Sequence, residues 1–325
     1  MKAARLHAAG DIRLHEETDP TPAPGEELVR VTAVGLCGSD RHWFNEGGIG
    51  DSVLTRPLIL GHEISGVIEG GSRSGERVAI DPAIPCRTCE LCKAGQAHLC
   101  PDIRFAGHGM TDGGLRMLMA WPGQLLARLP EAIGNDEAAL LEPLGVALHA
   151  ADLGKISRGM RTGVFGCGPI GLLLVQLLRL TGAQQIVATD PVPERLAAAR
   201  SMGATDATFP LTRQQSLDVA FEAAGSAEAV DDAVAAARPG GRVVLVGIPA
   251  SDVTTFRAST ARRKGLTLLL SRRMRGADLA RAIDLAARGD VDLASLLSAR
   301  FSLDRTIEAF GSLVRYEGLK TIVQP

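Results

Sequence analysis

Six cysteines stand in a chain of 325 residues, at 37, 86, 89, 92, 100 and 167, and four of them crowd into one short segment. Cys86, Cys89, Cys92 and Cys100 follow a C-x2-C-x2-C-x7-C spacing that lets all four thiolates reach one point. Four thiolates fill a tetrahedral zinc shell and leave no position for a substrate, so such a zinc is structural. Two disulfides, an iron–sulfur cluster or a nucleic-acid-binding zinc ribbon would use the same residues. A long chain with no secretion signal disfavours disulfides, and the residues between the cysteines carry few cations and no aromatics with which to grip nucleic acid. A second set is dispersed. Cys37 lies in GLCGSD and His62-Glu63 in GHE. A thiolate, an imidazole and a carboxylate suit a zinc that keeps one position open for chemistry. Spacing alone does not join Cys37 to His62, and a lone cysteine is more often a small buried hydrophobe.

Residues 166–171 read Gly166-Cys167-Gly168-Pro169-Ile170-Gly171, a G-x-G-x-x-G. An apolar run precedes it and a leucine-rich run follows, the strand–turn–helix order the motif needs. The first glycine permits the tight turn, the second admits a pyrophosphate, the third lets the helix pack close, and the helix N-terminus favours negative charge. Asp190 ends the next apolar run, where a carboxylate accepts from the adenosine ribose and repels a 2′-phosphate. Arg195 is the nearest cation. The set implies NAD rather than NADP.

The elements that must position these residues differ in texture along the chain. Up to about residue 145 the apolar runs are short (28–34, 64–68, 77–80) and broken by turn residues, an irregular β-rich pattern. From about 147, strand candidates at 162–165, 185–189, 217–222, 242–246 and 266–270 alternate with helix candidates at 170–180, 193–202 and 227–237. That alternation implies βαβ units and a parallel sheet, an α/β protein. A further helix is expected at 279–287 and a last strand at 321–323. Length and a hydrophobic content of 46% imply two domains, and 37 glycines suit tight strand–helix turns. A net charge of -2 gives no field for nucleic acid or an anionic membrane, and no apolar run is long enough for a membrane span. A cytoplasmic protein is expected.

Taken together, GLCGSDRHWFNEGGIGD, RPLILGHEISGVIEGG, the four-cysteine segment, LLEPLGVALHA and GCGPIG resemble the zinc-containing medium-chain dehydrogenases over essentially the whole chain. Within them the sequence resembles the sorbitol dehydrogenase group. PCRTCELCKAGQAHLCPDIRF and DGGLRMLM are similar to its L-idonate 5-dehydrogenase branch. The resemblance implies a GroES-like catalytic domain (1–146 and 273–325, with a structural zinc lobe at 85–101) and a Rossmann NAD-binding domain (147–272). It implies two zinc ions per chain and NAD. Cys37, His62 and Glu63 would hold the catalytic zinc, with Glu142 ligating it directly or through water. Ser39 would stand beside the reacting oxygen and His42 at the end of a proton relay. Trp43, Phe105 and His108 would line the substrate pocket, and Arg273 would lie near substrate and nicotinamide. The expected reaction is oxidation of a secondary alcohol of a polyol or aldonate to a ketose or keto-acid, by a homodimer or homotetramer assembled through the Rossmann sheet edge at 242–246 or 266–270. The chain departs from the group at Trp43, commonly tyrosine, in the short segment 70–76, and at Arg272 and Met274, where aromatics are expected.

Other readings are open at this point. An L-threonine 3-dehydrogenase-like enzyme shares the zinc motifs. A zinc-binding interaction protein would need only the cysteine lobe, and a zinc-free quinone reductase would need neither zinc set. His42 could be a surface histidine and Glu142 a helix cap. His149 and Cys167 read as packing residues; His7, His15 and His98 read as exposed. Arg262, Arg263, Lys264, Arg272, Arg273 and Arg275 form a basic run, by default a solvated face. The sharper reading makes it a site for an aldonate carboxylate.

Overall fold

The computed structural model describes residues 1–211, 216–251 and 253–325. The chain forms two compact units, Met1–Glu142 with Arg275–Pro325, and Pro143–Met274. The boundaries thus fall at 142/143 and 274/275 rather than 146/147 and 272/273. Met274 goes with the second unit because it packs on Gly145 of the helix Leu141–Gly154, where an added Cβ would stand 2.7 Å from its sulfur. Arg273 therefore lies in the second unit as well.

In the first unit the strands Leu126–Arg128, Arg77–Ile80, Glu63–Glu69, Glu26–Gly35, Lys320–Gln324 and Leu297–Ser302 run side by side, and Leu118–Pro122 also pairs with Glu26–Gly35. Alternating apolar residues of these strands (Val29, Val31, Ile64, Ile68, Val78, Ile80) enter one core with Trp43, Trp121 and Phe310. The N-terminal segment contributes the hairpin Lys2–Ala8 with Asp11–Glu16, which the sequence reading did not resolve into strands. Two registers matter for chemistry: Gly35 pairs with Glu63 on one side and with Ile322 on the other. The last residue of GHE and the last strand of the chain are thereby brought to the GLCGSD segment.

In the second unit six strands, all parallel, lie in the order Asp206–Ala207, Gln185–Thr189, Arg161–Phe165, Leu217–Glu222, Ala237–Leu245, Thr267–Leu270. In chain order that is 3-2-1-4-5-6, the doubly wound Rossmann arrangement, whose ligands bind beyond the carboxyl ends of the strands where the winding reverses. The apolar runs are continuous because a parallel sheet is covered on both faces. Phe165 and Phe221 are fully buried, each worth roughly 1.5–3 kcal/mol in burial. Of the two strands proposed as an oligomer edge, Ala237–Leu245 has neighbours on both sides, so only Thr267–Leu270 is free to pair; Leu270 there is 78% exposed. Among the described residues no helix is long and apolar enough to cross a membrane.

Candidate active site

Cys37 caps the helix Gly38–Glu46. Asp40, three residues on, reaches back so that its Oδ2 accepts from the Cys37 N–H at 2.9 Å. Its Oδ1 accepts from the Gly61 N–H at 3.2 Å and stands 3.6 Å from Nδ1 of His62. One buried carboxylate thus fixes two loops and turns the His62 ring, leaving Nε2 as the nitrogen for a metal, in the way outer carboxylates orient metal-bound histidines. Burial works against a charged His62, yet Asp40 and Cys37 together raise its pKa well above the usual value. Burial likewise opposes the Asp40 charge, and His62 with the two N–H groups overcomes it and lowers its pKa.

Glu63 opens its strand and is 1% exposed. Its carboxylate grips Lys320, whose Nζ donates to Oε1 at 2.6 Å and to the Leu36 carbonyl at 2.9 Å. Burial opposes the Lys320 charge, but Glu63 and Cys37 hold its pKa above the ordinary lysine value. Gly35 makes this approach feasible: a Cβ there would stand 2.1 Å from the Glu63 carboxylate. The ligand atoms of Cys37, His62 and Glu63 lie within 4.8 Å of one another. A thiolate, an imidazole and a carboxylate converging on one point fit zinc, with a fourth position left for an oxygen. Glu142 lies outside that trio. It is buried at the start of its helix, and burial, with Glu63 adding to it, pushes its pKa up to about 7 against the pull of His62.

The four cysteines also converge, their sulfurs within 4.8 Å of one another. Cys86 and Cys92 sulfurs are 4.0 Å apart and those of Cys89 and Cys100 3.9 Å. Zinc–sulfur bonds of about 2.3 Å place tetrahedral sulfurs about 3.8 Å apart, whereas a disulfide needs about 2.05 Å. All four are free thiols. The N–H groups of Cys89 and Thr88 pull the Cys86 thiol down to about 6, while burial and the neighbouring thiols push Cys92 up to about 12. Four thiolates this close need a cation to ionise together, so the donor set fits a metal.

The remaining expected residues divide. Phe105 packs on the His62 ring, centroids 5.3 Å apart. Trp43 is 2% exposed, a core residue set edge-on to His108 at 5.3 Å, and His108 Nε2 lies 3.1 Å from the Ser52 hydroxyl. Ser39 is half-buried. His42 is not a surface histidine: it is 3% exposed, with Nδ1 3.1 Å from both oxygens of Glu46. His149 is buried against the Arg273 carbonyl, and Arg273 itself holds a left-handed φ of 58°. His7, His15 and His98 are half-buried rather than exposed; His7 and His15 face each other through Nε2 at 2.8 Å. The basic run does not form one anion site. Lys264 donates to three carbonyls at the end of the helix Ala227–Ala236, and Arg275 pairs with buried Asp278 in the other unit. Arg262, Arg263 and Arg272 are exposed.

In the second unit Gly168 caps the helix Pro169–Thr181, with Pro169 at its first position and Ile170 half-buried behind it. A Cβ on Gly171 would stand 1.9 Å from the Gly166 carbonyl, so the turn closes only with glycine there. A Cβ on Gly168 would meet nothing within 4 Å, which leaves the helix N-terminus open to an anion. Asp190 Oδ2 accepts from the Cys167 N–H at 2.8 Å and Oδ1 from the Val192 N–H at 2.9 Å. Arg195 Nη1 stands 3.9 Å from Asp190. Cys167 is fully buried, and burial together with Asp190 pushes its thiol up to about 12, a packing residue.

Two residues that position the trio, Asp40 and Lys320, escaped the sequence reading. Asp40 had a signal, an acid at the third helical position after Cys37. Lys320 had none, since only the strand register brings it to Glu63.

Residues 23–131 match the alcohol dehydrogenase GroES-like domain family, and residues 169–288 match the zinc-binding dehydrogenase family. The sorbitol dehydrogenase of Bacillus subtilis is 33% identical, the match covering 100% of this chain and 97% of that protein. The sorbitol dehydrogenase of Gallus gallus is 35% identical over 99% and 96%. Among solved structures, L-idonate 5-dehydrogenase from Escherichia coli superposes with a TM-score of 0.93 at 28% identity, covering 100% of this chain and 98% of that one. With a GroES-like unit carrying the trio and a Rossmann unit carrying the glycine turn, the chain belongs to the zinc-dependent medium-chain dehydrogenases, in their sorbitol dehydrogenase-like group, and is an alcohol dehydrogenase of the polyol type.

Proposed function

We propose that the protein oxidises a secondary alcohol of a polyol or aldonate to the ketose or keto-acid, with NAD as acceptor and two zinc ions per chain. The observation that carries this reading is the convergence of Cys37, His62 and Glu63 with an outer carboxylate behind the histidine. Bound zinc is a Lewis acid that lowers the pKa of a hydroxyl, and bound NAD takes up hydride. The chain's own residues do the rest. Asp40 orients His62, and Lys320 holds the Glu63 carboxylate against the Leu36 carbonyl. The Ser39 hydroxyl accepts the alcohol proton as it passes its own onward in the direction of His42. His42, tied to half-exposed Glu46, delivers it to solvent. Glu142 stands near the trio as a reserve carboxylate for the metal or for its water. Phe105, with Trp43 and His108, shapes the substrate side, and Arg273 acts near the nicotinamide. The turn Gly166–Gly171 takes the pyrophosphate, and Asp190 takes the ribose hydroxyls and disfavours a 2′-phosphate. The chain works as a cytoplasmic homodimer or homotetramer joined along the exposed strand Thr267–Leu270.

NADH formation tests this. The zinc-loaded protein is offered NAD or NADP with sorbitol, xylitol, galactitol, L-idonate and L-threonine. Turnover of a polyol or aldonate with NAD is the expected result. Exclusive turnover of L-threonine, or none on any member, overturns the substrate class. With no unified basic run, a neutral polyol is the preferred substrate over an aldonate.

A further inference from the structure

Glu222 ends the strand Leu217–Glu222 and is 1% exposed, a buried acid that takes no part in the metal clusters or the ribose site. It stands level with Phe165 on one neighbouring strand and Leu245 on the other. These are the carboxyl ends from which the cofactor-binding loops depart, beside the reversal of winding. Its Oε1 accepts from the N–H groups of Ala224 at 2.7 Å and Gly225 at 2.6 Å. Its backbone carbonyl accepts from Val246 at 2.8 Å and Gly247 at 3.1 Å. Burial raises its pKa, and the N–H groups of Gly225, Ala224, Gly247 and Ser226 pull against it.

The loops so gathered leave no slack. A Cβ on Gly247 would stand 2.2 Å from the Gly225 nitrogen and 2.9 Å from the Glu222 Oε1. A Cβ on Gly225 would stand 2.3 Å from the Ile248 carbonyl. On the other side, a Cβ on Gly166 would stand 2.6 Å from the Ala224 nitrogen, so the segment Glu222 holds is the wall against which the first glycine of the phosphate turn rests. Converging backbone N–H groups make a nest that ordinarily takes an anion from outside. Here the chain fills that nest with its own carboxyl group, which leaves the Gly166–Gly171 turn as the phosphate site and fixes the loop beside it.

We infer that Glu222 is a positioning residue for the dinucleotide: by clasping with its carboxyl group the loop after the strand Leu217–Glu222, against which Gly166 rests, it sets the position of Gly166 and preorganises the cofactor site. This rests on the reading of the second unit as a nicotinamide dinucleotide site.

The test uses the full chain, zinc-loaded, as wild type, Glu222→Ala and Glu222→Gln. NADH binding is followed by its own fluorescence, together with KM for NAD, kcat at saturating NAD, zinc content and Tm. The alanine variant leaves the N–H groups without an acceptor. The expected result is an NADH Kd and a KM for NAD raised about tenfold or more, with kcat and zinc content near wild type. The glutamine variant keeps the Oε1 acceptor but adds a donor, and its Kd should rise about threefold. It carries the test alone if the alanine variant does not fold. A wild-type Kd in the glutamine variant, or in both variants with only Tm lowered, overturns the inference. Absence of NADH binding by the wild type itself overturns the cofactor reading and the inference with it.

Discussion

Cys86, Cys89, Cys92 and Cys100 come from one segment, which supplies all four sulfurs of their site. Cys37, His62 and Glu63 come from a helix cap and a strand start, and need the pairing of Gly35 with Glu63 and the return of Lys320 from the end of the chain. The first set offers one kind of ligand, soft and anionic, and would close around an ion. The second mixes three kinds, and each ligand has its own support: Asp40 for Cys37 and His62, Lys320 for Glu63. A site that only holds shape can be local and uniform. A site that must leave one coordination position open has to fix its ligands from outside, because the missing fourth ligand no longer does so.

Substitutions that separate the two sites should rank accordingly. Cys37→Ser or His62→Ala should cost the most, about 10³-fold or more in turnover, since Lewis-acid assistance is worth several kcal/mol and each 1.36 kcal/mol is a factor of ten. NADH binding should stay near wild type, and full activity in either variant contradicts the assignment. Cys86→Ser or Cys100→Ser should act on the other site. One zinc is lost and Tm falls by about 10 °C, a few kcal/mol in a unit of this size, while the fraction still folded at low temperature turns over substrate. Equal Tm in variant and parent would remove the structural role.

Asp40→Asn keeps the shape but weakens the hold on His62, and should cost about 10–100-fold in metal affinity or turnover. Metal titration distinguishes this from a folding defect. Lys320→Met is the mildest with zinc present. It strands the buried Glu63 charge, a loss of up to about 3–5 kcal/mol in the metal-free protein, and a cation bound by Glu63 should restore most of it. The expected sign is a Tm drop larger in chelator than in zinc. Equal drops in both conditions would show that Glu63 does not meet the metal.

The contrast between the two sites also decides what could be read from sequence. The cysteine lobe was legible because its ligands are neighbours in the chain. The strand Gln185–Thr189, the helix Pro193–Met202 and the turn at 166–171 were legible because alternating parallel strands and helices carry strong local patterns. Joining Cys37 to His62 and Glu63 required family resemblance, since the register of Glu26–Gly35 against Glu63–Glu69 has no local signature. The hairpin of Lys2–Ala8 and Asp11–Glu16 was missed because its polar and charged residues hide the alternation, with only Ala3, Ala4 and Leu6 fully buried. The basic run left two readings open, a solvated face by default and an anion site as the sharper one, for the opposite reason. It is contiguous in sequence, but Lys264 is spent on a helix end and Arg275 on Asp278.

Stepwise zinc withdrawal tests the two-site account most directly. The wild-type protein is treated with increasing chelator while bound zinc, turnover, NADH affinity and Tm are followed together. The account predicts two zinc ions leaving in separate phases. The first takes activity with it, reversibly on re-addition of zinc, and leaves NADH affinity and most of the thermal stability. The second leaves only when the fold is lost. Full turnover after the first zinc has gone, or activity and fold lost together in a single phase, would contradict it.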